Sequence, residues 1–176
     1  MENSGMVLMP GDVKDMLPAE AKRKRELETR LLGLFESYGY QEVVTPTFEF
    51  YEMLEPALDR GMREHLFRFI DEQGRIIVLR PDMTTPIARL ISTRLRDREL
   101  PMRFCYVANI FRRENHAGRQ REFYQAGVEL VGGSGAEADA EVISLACEAL
   151  KLAGVRSFQI SVGHVEVLEG VLAEAG

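Results

Sequence analysis

Three features of the 176-residue sequence predict an α+β fold, an antiparallel sheet flanked by helices. Two long apolar runs, Phe104 to Phe111 and Phe123 to Val131, follow one another across a polar loop, as neighbouring strands of one sheet do. A second pair, Phe67 to Ile70 and Arg75 to Leu79, is separated by Asp71-Glu72-Gln73-Gly74, the composition of a hairpin turn. Segments of helical period stand before, between and after these pairs instead of alternating with single strands, which disfavours a doubly wound parallel sheet.

Between Pro18 and Gly39, Leu27, Leu31, Leu34, Phe35 and Tyr38 recur at helical spacing and Gly39 supplies a stop. Lys22, Arg23, Lys24 and Arg25 occupy consecutive positions on that helix, so they spread around it as a solvated face. Val43-Val44-Thr45-Pro46 is short, β-branched and closed by proline, which predicts a short strand. Thr84-Thr85-Pro86 opens a helix that carries Ile87, Ile91 and Leu95 on one side and runs to about Arg96. Ser134-Gly135-Ala136-Glu137 has capping-box spacing before a helix with Val142, Leu145, Ala146, Ala149 and Ala153 inward. Phe158, Ile160 and Val162 alternate as a half-buried strand, and His164 to Ala173 reads as a last helix. No linker, repeat or low-complexity tract divides residues 1–176, which are expected to form one domain.

Composition narrows the function classes. With 45% hydrophobic and 28% charged residues the chain suits a globular core. No apolar run approaches the roughly 20 residues of a membrane helix, and Met1 to Pro10 lacks the pattern of a signal peptide, so a cytoplasmic protein is expected. Cys105 and Cys147 lack zinc or disulfide spacing and read as buried free thiols. A net charge of -6 argues against broad affinity for nucleic acid.

The sequence contains no phosphate loop of the Walker type, no metalloprotease helix and no serine elbow, and no cofactor or metal is expected. Gly132, Gly133 and Gly135 suit either a helix-entry turn or a phosphate cradle. Strand period puts Phe123, Gln125, Gly127, Glu129 and Val131 on one face and the more apolar Tyr124, Ala126, Val128 and Leu130 on the other, the expected core side. Gln125 and Glu129 flanking a glycine fit the floor of a small polar pocket or a sheet face wetted by water. Arg112, Arg113, Arg119 and Arg121 fit a phosphate or carboxylate site or a surface cluster. Asp82 or Thr84 fits a helix cap. His65, His116 and His164 are scattered, without a catalytic partner.

At these residues the chain resembles the class II aminoacyl-tRNA synthetases, and among them the histidyl enzyme, over almost its whole length. Met9-Pro10-Gly11-Asp12, Asp15-Met16-Leu17-Pro18 and Tyr38-Gly39-Tyr40-Gln41-Glu42-Val43 to Pro46 resemble the first motif, a helix and strand at the family's dimer interface. Phe111-Arg112-Arg113-Glu114, Gly118-Arg119-Gln120-Arg121 and Phe123-Tyr124-Gln125-Ala126-Gly127-Val128-Glu129 resemble the second. The resemblance implies a histidine-binding set of Asp82, Met83, Thr84, Arg112, Gln125 and Glu129. In that set Asp82, Thr84 and Gln125 hold the amino group, Glu129 faces the imidazole and Arg112 lies near the carboxylate. It implies residual ATP binding through Arg112, Glu114 and Arg121.

Departures from the synthetase pattern shift the expected function. Asp82-Met83-Thr84-Thr85-Pro86 and Tyr106-Val107-Ala108-Asn109-Ile110-Phe111 look like the histidyl-tRNA-synthetase-like regulatory subunits of ATP phosphoribosyltransferase. Gly176 precedes any third motif or anticodon-binding domain, so an N-terminal portion of a longer protein is expected. The resemblance implies a non-catalytic partner of the short-form catalytic subunit, with L-histidine as effector, in a homodimer or larger hetero-oligomer. One alternative is a synthetase core that activates histidine with Mg-ATP. The other is a non-catalytic amino-acid-binding partner domain.

Overall fold

Each of the two long apolar runs forms a ten-residue strand, and helical segments pack against both faces of that pair. The computed structural model describes residues 13–113, 121–163, 169–170 and 172–174. In chain order the elements are α1 (Pro18–Ser37), β1 (Gln41–Glu42), β2 (Phe48–Phe50), α2 (Tyr51–Leu54), α3 (Arg60–Glu64), β3 (Arg68–Ile70), β4 (Ile76–Leu79), α4 (Thr84–Arg94), β5 (Met102–Phe111), β6 (Glu122–Val131) and α5 (Ala136–Leu152).

The strands form two three-stranded sheets instead of one. In the first, β5 and β6 pair antiparallel from Met102 opposite Val131 to Phe111 opposite Glu122, while β1 adds to β5 in parallel. In the second, β4 lies between β2 and β3, antiparallel to both. The predicted strand at Val43 to Pro46 is displaced. Pairing covers Gln41–Glu42, the Val43 N–H still donates to the Cys105 carbonyl, and the chain then leaves the sheet toward Pro46, which has no N–H to offer.

Both faces of the β5–β6 pair are covered, because β5 alternates large side chains toward both. Phe104, Tyr106 and Ile110 pack with Met83 and Ile87 of the α4 entry, joined by Phe123. Cys105 packs on the other side with Phe35 of α1, Tyr40 just before β1 and Leu145 of α5, joined by Val128 and Leu130. The expectation that only the Tyr124 face of β6 is core is therefore corrected: Tyr124 and Ala126 are exposed, and the Gln125 face packs under α4. A third cluster, Leu54, Leu58, Leu66 and Val78, joins α2 and α3 to the second sheet.

Polar contacts tie these layers. Glu141 of α5 accepts two hydrogen bonds from Arg103, both 2.9 Å, and one from the Tyr40 hydroxyl at 2.8 Å. The guanidinium and the phenol hold the Glu141 carboxyl down to about 2, while burial and that same carboxylate push Tyr40 up to about 12. Arg80, buried at the end of β4, donates to the carbonyls of Asn109 (2.8 Å) and Thr45 (2.7 Å), while the Phe111 N–H donates to its carbonyl. It thereby joins the two sheets.

Several local expectations are altered. Lys24 lies over the Tyr124 ring at 3.6 Å from its centroid and is bonded to Glu28, so one of the four basic residues leaves the solvated face. The residue at the cap of α5 is Gly135 at φ 84°, with no side-chain cap, so the Ser134 capping box is not formed. Residues 157–162 form no strand, since a strand requires a hydrogen-bonded neighbour and no described strand lies alongside. Cys147 is half-buried, not buried. The Met9 to Asp12 motif and most of the His164 to Ala173 helix lie outside the described residues.

Candidate functional site

The site is built where the entry to α4 crosses the middle of β6. Strand β4 ends at Leu79, and Pro81 stops further pairing. Asp82 then accepts the Thr85 N–H at 3.0 Å through Oδ1, a cap that starts the helix. This leaves the Thr84 hydroxyl free of capping, and it donates instead to Glu129 Oε1 at 2.7 Å across 45 residues of sequence. The simple reading of Asp82 as a cap is thus met by one of its oxygens, and Thr84 belongs to the sheet contact.

Along β6 the same face carries Gln125, Gly127 and Glu129, opposite Ala108, Tyr106 and Phe104 of β5. Gly127 has a specific cause. A Cβ there would stand 2.5 Å from the Tyr106 hydroxyl oxygen and 2.7 Å from Cζ, so the phenol lies directly over the glycine. The room that the sequence suggested for a ligand beside Gly127 is therefore filled by Tyr106. On either side of that ring, and among the described residues, Gln125 presents a buried Oε1 with no hydrogen-bond partner, and Glu129 accepts from Thr84. A buried acceptor without a donor costs about 1–3 kcal/mol, an open invitation to an N–H donor.

The electrostatics are those of an anionic niche. Burial raises the Glu129 carboxyl above its ordinary range, Thr84 works against this, and the charge of Asp82 adds to it. Burial, then Glu129, then Asp82 push the Tyr106 phenol up to about 12. Among the described residues no Lys or Arg lies within ion-pair distance of Asp82 or Glu129. Two carboxylates and an unfilled amide oxygen fit a small cation carrying several N–H groups.

Of the residues named from the sequence, the fold brings Asp82, Thr84, Gln125 and Glu129 to this niche. Met83, named with them, is 0% exposed and packed with Ile87, Phe104 and Tyr106 beneath the niche. Arg112 borders the niche, with Nε on the Pro81 carbonyl at 2.7 Å and its guanidinium 5.6 Å from the Phe123 ring centroid. The Arg121 carbonyl accepts the Arg112 N–H. Glu114 lies outside the described residues. Tyr106 and Arg80 were missed. The glycine inside a strand was the available signal for the first, since it marks close approach by something large. An arginine between an apolar strand and a proline was the signal for the second. Cavities of about 530 and 550 Å³ lie elsewhere and contain none of Asp82, Gln125 or Glu129, so the niche is identified by its chemistry and not by its depth.

The family model of histidyl-tRNA synthetase matches residues 12–176. The chain belongs to the histidyl-tRNA synthetase family. Within that family it is similar to proteins named ATP phosphoribosyltransferase regulatory subunit, at 52% identity over 167 residues in Moorella thermoacetica and 52% over 170 residues in Symbiobacterium thermophilum. These alignments cover 94% and 96% of this chain and 43% of each relative, so the chain spans about two fifths of their length. Among solved structures of the family, it is similar to an ATP phosphoribosyltransferase regulatory subunit/histidyl-tRNA synthetase from Bacillus halodurans, with TM-score 0.82 and 40% identity over 91% of this chain and 41% of that one. It is also similar to the apo histidyl-tRNA synthetase of S. aureus, with TM-score 0.72 and 29% identity over 86% of this chain and 36% of that one. The α+β class expected from the sequence is that of a class II synthetase core, here with mixed pairing in one sheet. Among the described residues no helix is long and apolar enough to cross a membrane.

Proposed function

We propose that the protein carrying this chain is a regulatory subunit of ATP phosphoribosyltransferase, acting in the first step of L-histidine biosynthesis in the cytoplasm. It assembles with short-form catalytic subunits, enables their activity and mediates feedback by histidine, without aminoacylation activity of its own. The observation that carries this reading is the name shared by the relatives at 52% identity, together with a niche whose groups suit histidine.

The niche would act by recognition. Asp82 and the Gln125 oxygen face the ammonium, Glu129 accepts an imidazole N–H while Thr84 steadies its other side, and Arg112 borders the carboxylate. An acceptor buried beside the imidazole rejects apolar amino acids, because it would be left unpaired. Feedback then requires that histidine bind one state of the assembly more tightly than another. The test is steady-state activity of the short-form catalytic subunit with and without the full-length protein, under a histidine titration. Activation reversed by histidine is the expected result. An absence of activation combined with histidine-dependent ATP-pyrophosphate exchange would overturn it in favour of a synthetase.

A further inference from the structure

On another side of the molecule, a cavity of about 550 Å³ opens between α3, β3 and the end of β5, lined by Arg63, Glu64, Leu66, Phe67, Arg68, Phe69 and Arg113. We infer that this cavity is a binding site for a small diphosphate-like anion, held by Arg68 and Arg113. Its position and chemistry are independent of the histidine niche and of the function proposed above.

The walls are fixed by the backbone. The Arg113 N–H donates to the His65 carbonyl at 2.8 Å, and the His65 ring Nδ1 is bonded to the Arg113 carbonyl. This two-point clasp pins the end of β5 to the end of α3. Arg113 lines this cavity, and Arg112 does not.

The charges of the lining do not cancel. Glu64 is paired with Arg60 at 3.5 Å, and Arg63 with Glu55 at 3.5 Å. Arg68 has no carboxylate among the described residues. Its guanidinium stacks on the Tyr51 ring at 4.5 Å from the centroid and gives Nη2 to the Arg63 carbonyl, which orients the fork and leaves Nε and Nη1 unspent. The Arg113 side chain is exposed and makes no hydrogen bond or ion pair among the described residues. In a chain of net charge -6, two guanidinium groups without a carboxylate partner among the described residues line one cavity. Arginine forks pair bidentately with phosphate oxygens, and two forks suit two phosphate groups. The cavity's size also fits a small molecule, whereas a nucleic acid would need an extended basic surface.

The test is calorimetric titration of the full-length protein with inorganic pyrophosphate, without divalent metal, at physiological ionic strength. The expected result is one site per chain whose affinity falls at least about tenfold in R68Q/R113Q and stays within about twofold in R60Q, an ion-paired arginine outside the cavity. If R68Q/R113Q fails to keep the thermal transition of the parent, R113Q alone decides, with about threefold weakening expected. No binding at about 10 mM pyrophosphate, or affinity unchanged by loss of these arginines, overturns the inference.

Discussion

Replacing Gly127 by alanine tests whether Tyr106 is the true floor of the niche. The added Cβ would lie 2.5 Å from the phenol oxygen and 2.7 Å from Cζ, whereas ordinary contacts begin near about 3.5 Å, so the ring must retreat by roughly 1 Å. It has little space to do so, being 5% exposed and enclosed by Met83, Ile87, Phe104 and Ile110. Overpacking of this kind costs about 1–3 kcal/mol. Alanine recovers about 0.5–1 kcal/mol of backbone entropy relative to glycine, which leaves a net loss of about 0.5–2 kcal/mol. At a urea slope of about 2 kcal/mol/M, the midpoint should fall by about 0.25–1 M with the slope unchanged. Adding Tyr106→Phe removes the nearer contact and leaves the Cζ contact, so the double variant should be more stable than the sum of the single losses. A Gly127→Ala midpoint within about 0.2 M of the parent, or strictly additive losses, would refute the assigned cause of this glycine.

Two further outcomes follow from the ionisable groups. Glu129 has a carboxyl raised above 4.5 in the fold, so its ionisation opposes folding: the penalty is absent below 4.5 and complete only above the raised folded value. Glu129→Gln should therefore be more stable than the parent at pH 7 and equal to it near pH 4 in urea denaturation, while its histidine affinity falls in calorimetry. Glu141 is the opposite case, with a carboxyl lowered from 4.5 to about 2 by Arg103 and Tyr40, so its contribution is present above 4.5 and lost as pH falls toward 2. Glu141→Gln should flatten the acid limb of stability between those values. An acid limb identical to that of the parent would count against the Arg103 pair.

The long elements were legible because their signals are local. The period of α1 and the alternation of β5 and β6 follow from which residues must leave water, and the Asp71–Gly74 turn follows from its composition. What was not legible depends on neighbours. The shift of β1 to Gln41–Glu42 is decided by where Cys105 stands in the chain, 63 residues after Glu42. The alternation at Phe158, Ile160 and Val162 is genuine as a pattern and still yields no strand, because pattern supplies a face and not a partner. At the site, the residue types at Asp82, Thr84, Gln125 and Glu129 were readable, and so was their proximity through the family resemblance. The core packing of Met83 was not readable, because a residue between two polar neighbours at a helix entry turns inward only once Asp82 caps the helix. Tyr106 escaped notice because its role depends on standing opposite Gly127, a matter of register.

The hydrogen bond from Thr84 to Glu129 has a mechanical side. It fastens the first turn of α4 to the middle of β6, and its acceptor is the carboxylate that an incoming imidazole would seek. A guest N–H accepted by the second oxygen of Glu129 would share its carboxylate with that fastening, so occupancy would bear on the root of an eleven-residue helix. The far end of the helix, at Arg94 and Leu95, meets the chain running to Pro101 and the start of β5. That helix spans about 16 Å, so a change at its first turn would have its far end near the start of β5 to act upon.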